Sequence, residues 1–297
     1  MSKPLAVCFG EVLWDVFPDR EVIGGAPLNV AMRLQSMGCT AEMLSGIGQD
    51  EKGRMLLDHM QQHGVGHQGV YQHPTLPTGT VTISLDSEGS ASYIIDKPVA
   101  WDAIHISPSI VEQVKNSQLF VFGSLAVRGA FNQNILNALL KEAPYKVFDV
   151  NLRKPDYSHS MVYELMQHAD FVKMNDEELE ELCEALGGPL TDLKKQAEWM
   201  AAVAGIDTLC ITRGKDGAML LRDGTAYAQA GFSVQVMDTV GAGDSFLATL
   251  LDALFVKNLD EAVALERACA VGALVASKAG ANAVVSEGEI KALIDGF

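Results

Sequence analysis

An octet of residues, Asp238–Ser245, combines small residues and a carboxylate in an order that could support group transfer. Gly241 and Gly243 have no Cβ atom, so another molecule could approach their backbone closely. The octet follows the strand-like run Phe232–Met237 and precedes the mostly apolar run Phe246–Phe255, which is long enough for a buried helix. A helix that starts here would present unpaired N–H groups at the positive end of its dipole, and such groups bind anions.

Asp244 places a carboxylate at this turn, where an anion should bind. Phosphoryl transfer resolves the conflict, because free N–H groups can hold the charge of the transferring phosphoryl group while a carboxylate accepts the proton of an attacking hydroxyl. The alternative is that Asp244 only caps the helix, since Asp is common at helix N-caps. The octet alone supports both interpretations equally.

The composition limits the classes of protein to which the chain can belong. Its 297 residues, 48% of them hydrophobic, suit one large α/β domain or two smaller ones with a packed core. The formal net charge of -16 argues against a nucleic-acid-binding protein, because phosphate backbones select basic surfaces. It does not exclude an anionic substrate, since a local anion site and a metal ion can outweigh the global charge.

Cysteine usage and hydropathy indicate a cytoplasmic protein. The five cysteines are scattered without a Cys-x-x-Cys pair, so we expect reduced thiols instead of a disulfide framework or a zinc site. The N-terminal residues lead directly into a strand-like run and do not resemble a signal peptide. No stretch approaches the roughly 20 apolar residues of a membrane-spanning helix, so we expect no membrane contact.

Alternating strand and helix patterns predict an α/β protein with a mostly parallel sheet flanked by helices. The predicted strands are 5–10, 65–71, 119–122, 146–153, 170–174 and 208–211, and the predicted helices are 51–62, 191–203, 246–255 and 260–278, the last ending in a C-cap at Gly280.

A hairpin interrupts this order. Two alternating runs, 80–85 and 90–95, flank the turn signal Asp86–Gly89. We interpret the hairpin as part of a small β lid whose strands lie near residues 12–23 and 79–96. The alternative is a solvent-facing hairpin with no closing role.

Two polar residues near the N-terminus could contact a ligand. Asp15 lies just past the first strand, where ligands gather in open α/β sheets, although an exposed loop Asp would look the same. Gly24 and Gly25 precede a predicted helix that carries Asn29 in its first turn. The Asn29 amide can both donate and accept hydrogen bonds, which suits a sugar hydroxyl.

Polar side chains also follow two later strands. Asp149 and Arg153 crowd the end of one strand, and the planar guanidinium of Arg153 could contact a phosphate or a sugar hydroxyl, or simply pair with Asp149. Asn175 is a good N-cap for the helix after the next strand, and Glu178 could close a capping box.

The octet resembles the second signature of the ribokinase-like (PfkB-type) carbohydrate kinases, Asp-Thr-x-Gly-Ala-Gly-Asp. The stretch from Gly24 to Asn29 resembles the first signature, Gly-Gly-x-x-x-Asn. The resemblance implies that Asp244 is the base that activates a sugar hydroxyl. It also implies an anion hole from the amides of Gly241, Ala242 and Gly243, and a sugar site formed by Asp15, Gly24, Gly25 and Asn29.

Further motifs imply the cofactors. Asn175 and Glu178 match the Asn-x-x-Glu motif, which in the family orders the water shell of Mg²⁺ and the ATP phosphates. Thr212, Gly214 and Gly217 match the nucleotide loop, although alone they indicate only a hairpin turn. Relatives often bind a monovalent cation such as K⁺ at positions that correspond here to Asp238, Val240, Val275, Lys278 and Gly280. Val284 and Ser286 depart from the ribokinase pattern, which leaves activation by potassium open.

Two segments favour a particular branch of the family. Gly123–Ala126 and Asp149–Arg153 resemble segments of bacterial fructokinases and 2-keto-3-deoxygluconate kinases. The resemblance runs through nearly the whole chain and implies one kinase domain over residues 1–297, with a lid that covers the sugar and often pairs across a homodimer. We therefore expect an ATP-dependent kinase of fructose. The alternatives are 2-keto-3-deoxygluconate, ribose or a nucleoside as acceptor, a non-catalytic sugar sensor, and a purely structural protein.

Overall fold

A computed structural model describes residues 3–85 and 91–296. The chain divides into two compact units, of which the first comprises Met1–Phe120 and Ala126–Pro144 and the second comprises Val121–Leu125 and Tyr145–Phe297. This division leaves the single kinase domain a prediction.

The first unit is built on parallel strands with helices packed against them. Its strands are β1 (Leu5–Phe9), β2 (Leu13–Val16), β3 (Glu21–Gly24), β4 (Thr40–Gly48), β5 (Gly66–His73), β6 (Gly79–Leu85) and β7 (Ala91–Ile95), and its helices are α1 (Ala26–Ser36), α2 (Glu51–Gln62), α3 (Pro108–Lys115) and α4 (Ala130–Leu140). Strands β1 and β5 each pair in parallel with β4. The apolar run of β1 is nearly all buried, as expected for a parallel strand covered on both faces.

A small separate sheet belongs to the first unit and has the strand order β3-β2-β6-β7. Leu13, Val81 and Ile83 form its buried core. The four strands lie where the sequence predicts lid strands, and the turn predicted at Asp86–Gly89 lies outside the described residues. The covering role of this sheet stays a prediction.

The second unit repeats the strand-and-helix principle. After β8 (Leu119–Gly123), which crosses the division, come β9 (Lys146–Asp149), β10 (Phe171–Asn175), β11 (Thr208–Thr212), β12 (Ala218–Arg222), β13 (Thr225–Gln229), α5 (His159–Gln167), α6 (Asp176–Leu186), α7 (Leu193–Ala204), α8 (Ala242–Leu251), α9 (Glu261–Ala276) and α10 (Glu287–Asp295). Strands β9, β10 and β11 are parallel, whereas β12 and β13 are antiparallel to their neighbours. The predicted α/β class, a mostly parallel sheet flanked by helices with a small second sheet, is confirmed.

Two predictions near the octet are wrong. Phe232–Met237 forms no strand, because the amides of Met237 and the following residue both donate to Ala276 O, at 2.8 and 3.2 Å. Along the apolar positions of this run Phe232 is buried but Val236 is 59% exposed, so the alternating pattern has no continuous buried face. Helix α9 ends with Ser277 as its C-cap, and Gly280 lies beyond it in the following turn.

Helix α8 begins at Ala242, four residues earlier than predicted. Gly243 and Asp244 therefore lie inside its first turn. After Leu251 the helix continues as a π-helical segment, Asp252–Val256. Among the residues that the structure describes, no helix has the length and apolar character needed to cross a membrane.

Candidate active site

In the second unit, three parallel strands carry polar residues to one edge. Strands β9, β10 and β11 end at Asp149, Asn175 and Thr212. The register places Lys173 beside Asp149, and Asn175 beside Thr212. Because the carboxyl ends of parallel strands share an edge, these side chains lie in the place where α/β proteins bind ligands.

A buried ion pair lies at this edge. Lys173 Nζ is 2.9 Å from Asp149 Oδ1, and the two side chains are 9% and 5% exposed. Burial alone would lower the pKa of Lys173, but the carboxylates of Asp149, Glu178 and Asp244 together raise it, so the amine stays protonated. Lys173 is absent from the residues predicted from the sequence, although a lysine inside an apolar strand is itself a signal.

Glu178 connects two strand ends. Its Oε2 accepts a hydrogen bond from the Asn175 amide at 2.8 Å, and its Oε1 accepts one from the Leu152 amide at 2.8 Å. The Glu178 amide in turn donates to Asn175 Oδ1 at 2.7 Å, which confirms the predicted capping box. Burial raises the pKa of Glu178, while Lys173 and the two amides oppose that shift.

The chain between Asp149 and Glu178 turns sharply. Asn151 has a φ of 41°, a left-handed conformation that Asn tolerates better than most residues. Arg153 is exposed, and its Nη1 donates to Leu152 O at 3.0 Å. Because Asp149 pairs with Lys173, the interpretation in which Asp149 pairs with Arg153 is wrong, and a ligand role for Arg153 stays a prediction.

The start of α8 completes this cluster. Gly241 is the N-cap, with a φ of 74°, so Asp244 at the third helical position is not the N-cap. A Cβ atom on Gly243 would lie 3.5 Å from Lys173 Nζ, so the first turn of α8 passes directly beside the buried amine. The structure thus brings the predicted base and the predicted anion hole together with Lys173, and through it with Asp149 and Glu178.

The carboxylates of Asp149, at the end of β9, and Glu178, in the first turn of α6, suit a hydrated divalent cation. Asp149 Oδ2 is buried and has no hydrogen-bond partner among the described residues, so it could accept a bond from a metal-bound water. No group of three His, Cys, Asp or Glu side chains that could hold a metal occurs in the described part of the chain. Mg²⁺ fits such a site, because it keeps several waters and needs few direct protein ligands.

Asp238 joins two loops of the second unit. Its Oδ1 accepts from the Val240 amide at 3.0 Å, and its Oδ2 accepts from the Gly280 amide at 3.4 Å. The Lys278 amide donates to Val275 O at 3.0 Å. The structure therefore gathers the residues predicted to surround a monovalent cation, and the cation itself stays a prediction.

The predicted nucleotide loop is the hairpin between β11 and β12. Thr212 Oγ1 donates to Met174 O at 3.5 Å, and Gly214 and Gly217 have φ angles of 52° and 91°. A Cβ atom on Gly217 would lie 2.0 Å from Gln229 O, so the turn itself requires this glycine. The hairpin interpretation is confirmed, and contact with a nucleotide stays a prediction.

In the first unit, the residues predicted to bind a sugar surround the start of α1. A Cβ atom on Gly24 would lie 2.3 Å from Asp15 Oδ2, so the Asp15 carboxylate uses the space that this glycine leaves. Gly25 is the N-cap of α1 with a φ of 114°, and its oxygen accepts a hydrogen bond from the Asn29 amide at 2.9 Å. Asn29 is buried, and its contact with a sugar stays a prediction.

The two glycines of the α8 turn should respond differently to alanine. At Gly241 a Cβ atom would lie 2.4 Å from Ala281 O in a left-handed backbone, so Gly241→Ala should lower the free energy of unfolding by about 1–3 kcal/mol. At Gly243, which is helical, the nearest atom is 3.5 Å away, so Gly243→Ala should leave the free energy of unfolding unchanged or raise it by up to about 1 kcal/mol. Urea unfolding of the matched pair measures both, and equal losses would contradict the difference in backbone strain between the two positions.

Known proteins share sequence and fold with this chain. A family model described as pfkB family carbohydrate kinase matches residues 6–287. A rice protein named Fructokinase-2 is 27% identical, over 93% of this chain and 89% of its own length. The crystal structure of a Xylella fastidiosa fructokinase with bound ATP has a TM-score of 0.87 at 24% identity, covering 99% of each chain. That of a Thermotoga maritima 2-dehydro-3-deoxygluconokinase has a TM-score of 0.86 at 21% identity, also covering 99% of each chain. At these identities the two structures show a shared fold.

Proposed function

The chain belongs to the pfkB family of carbohydrate kinases, and we propose that it transfers the γ-phosphoryl group of ATP to a hydroxyl of fructose. The observation that carries the proposal is the position of Asp244 in the first turn of α8, beside the buried cluster of Lys173, Asp149 and Glu178. The names of the rice and Xylella relatives favour fructose among the sugars.

In this mechanism, Asp244 accepts the proton of the attacking sugar hydroxyl as the oxygen bonds to phosphorus. The amides of Gly241, Ala242 and Gly243 lie at the positive end of α8 and stabilise the charge on the transferring phosphoryl group. ADP leaves with the electron pair of the broken P–O bond. The Ala242 amide donates to Thr239 O at 3.2 Å in this structure, so it must exchange that bond for one to the phosphoryl group, whereas the first turn of α8 already orients the Gly243 amide.

The buried Lys173 and its carboxylate partners organise the proposed phosphate site. Lys173 balances the charges of Asp149 and Glu178 and stays protonated itself. Asn175 and Glu178 would hold Mg²⁺ through its water shell, and the ion would neutralise charge on the ATP phosphates. Thr212, Gly214 and Gly217 contact the nucleotide from the β11–β12 hairpin.

The first unit supplies the sugar contacts in this proposal. Asp15, Gly24, Gly25 and Asn29 orient the sugar through a carboxylate, an amide and close backbone approach. The small sheet acts as the lid, and exclusion of water prevents hydrolysis of ATP in place of sugar phosphorylation. Arg153, exposed in the segment after β9, adds a contact to a phosphate or to a sugar hydroxyl.

Three further features extend the proposal beyond the family assignment. Asp238 and the carbonyls of Val240, Val275, Lys278 and Gly280 bind a monovalent cation such as K⁺, which is supported by the Asp238 bridge between the two loops.

The protein acts in the cytoplasm. It forms a homodimer through the small sheet, whose edge strand β7 exposes 62% of Ile94.

The alternative acceptor is 2-keto-3-deoxygluconate, and the Thermotoga neighbour favours it. A sugar acid needs a cationic partner for its carboxylate, which exposed Arg153 could supply. A non-catalytic sugar sensor is disfavoured, because Asp244 and both glycines of the anion hole are present.

The substrate assignment is tested by sugar-dependent ADP release. With ATP and Mg²⁺ we expect the highest kcat/KM on fructose in a panel that also contains ribose, 2-keto-3-deoxygluconate and adenosine. Preferred turnover of another member would replace the substrate and keep the mechanism. Binding of ATP without turnover of any member would contradict the fructokinase proposal and support the sensor.

Removal of the base tests the mechanism. Asp244→Asn should retain fructose binding and lower kcat by about 10²- to 10⁴-fold, because the amide cannot accept the hydroxyl proton. Asp260→Asn is the matched control, since Asp260 is exposed at the start of α9 and its side chain makes no capping bond there. Near-normal turnover of Asp244→Asn, with calorimetric fructose binding intact, would remove Asp244 from the mechanism.

A further inference from the structure

Arg128, in the first unit, lies outside the residues assigned so far. Its Nε donates to Asp102 Oδ1 at 2.7 Å and its Nη2 to Asp102 Oδ2 at 2.8 Å, which is the bidentate geometry of strong Arg–carboxylate pairs. The guanidinium carbon lies 4.1 Å from the centre of the Trp101 ring, and the Arg128 side chain is only 5% exposed. We call Trp101, Asp102 and Arg128 the lid-base cluster.

The lid-base cluster contacts both strands of the β6–β7 hairpin at its open end, where β6 begins and β7 ends. At the start of β6, a Cβ atom on Gly79 would lie 2.2 Å from Trp101 Nε1, so the strand leaves the body in direct contact with the indole. At the end of β7, Arg128 Nη2 donates to Asp96 O at 2.6 Å. The Asp96 amide donates to Thr80 O at 3.1 Å, which joins the two strand ends to each other.

The cluster rests on a rigid support. The buried Asn132 side chain on α4 donates to Trp101 O and to Ala126 O, both at 2.7 Å, and accepts from the Ile104 amide at 3.0 Å. Two separate segments, one at residues 101–104 and one at Ala126, are thereby fixed to one helix. A displaced guanidinium would consequently move the hairpin relative to the body of the unit, and not the body itself.

Strand pairing connects the position of the hairpin to the position of Asp15, in the proposed sugar site. Strand β6 pairs with β2 in a register that matches Gly79 with Leu13 and Val81 with Asp15. The position of β6 on Trp101 therefore sets the position of the Asp15 carboxylate, which also depends on the space at Gly24.

We propose that Arg128 is a positioning residue that fixes the base of the small sheet and, through β6 and β2, places Asp15 for the sugar. This role rests on the proposed sugar-kinase function. Arg128 is not a direct ligand of an acidic substrate, because Asp102 neutralises its charge and the side chain is buried. The sequence alone does not distinguish these roles, since the pairing partner lies 26 residues away.

The test compares Arg128→Lys with Arg54→Lys. Lysine keeps the charge but lacks the planar fork, whereas Arg54 is an exposed arginine on α2 that pairs with Glu51 and Asp58. We expect Arg128→Lys to raise the KM for the sugar about tenfold, with the KM for ATP within about twofold of wild type. ADP release should also exceed sugar phosphate formation, because a misplaced lid admits water. Arg54→Lys should change neither of the two KM values nor the ratio of ADP released to sugar phosphate formed.

Hydrogen exchange on the ligand-free protein gives a second measurement that does not depend on catalysis. The Asp96 amide, bound to Thr80 O, should exchange faster in Arg128→Lys, while amides of β4 should not change. Asp102→Asn, which weakens the same pair without removing the arginine, should produce both effects more weakly and serves if Arg128→Lys does not fold.

The outcomes separate this proposal from the proposed function. A wild-type protein that phosphorylates no sugar would contradict the function, and the exchange of Asp96 would then decide the positioning role alone. In an active enzyme, unchanged sugar KM, equal increases of both KM values, or unchanged exchange at Asp96 would each overturn the proposal.

Discussion

The arrangement of segments at the end of strand β10 depends on one buried positive charge. Lys173 lies in the middle of a parallel sheet, where desolvation of an amine costs several kcal/mol unless anionic partners surround it. Asp149 on the neighbouring strand provides the direct partner, and Glu178 and Asp244 add to its stabilisation. Strand β9, the start of α6 and the start of α8 must therefore all meet at the end of β10. The electrostatic requirement of one side chain fixes the relative positions of three functional segments.

This constraint explains which features the sequence could predict. Short-range patterns were sufficient for the capping box of Asn175 and Glu178 and for a glycine turn that opens a helix at the octet, because both depend on residues within one helical turn. The partner of Asp149 could not be predicted, since it is set by the register of β9 against β10. Arg153, four residues from Asp149 in the sequence, was the candidate partner, whereas Lys173 lies 24 residues away.

The wrong predictions have physical causes of the same kind. Alternating polarity in Phe232–Met237 resembles a strand, but without a neighbouring ladder the amide of Met237 bonds instead to Ala276 O. Helix α8 starts before its apolar run because glycine and alanine fit a helical first turn without contributing hydrophobicity. In the first unit, the close fit of Asp15 against Gly24 depends on strand pairing that no local pattern reveals.

We expect the Lys173–Asp149 pair to position the active-site segments of the second unit, whose sheet and helices form without it. The most direct measurement is the turnover and urea stability of a double variant that carries Lys173→Met and Asp149→Leu. Loss of the pair leaves the buried Glu178 carboxylate without its cation, so the free energy of unfolding should fall by up to about 3–5 kcal/mol, and turnover is measured under conditions where the variant stays folded. Sugar-dependent turnover should fall by at least about 100-fold, because Glu178 and Asp244 lose the charge that balances them. A folded double variant with near-normal turnover would contradict the claim.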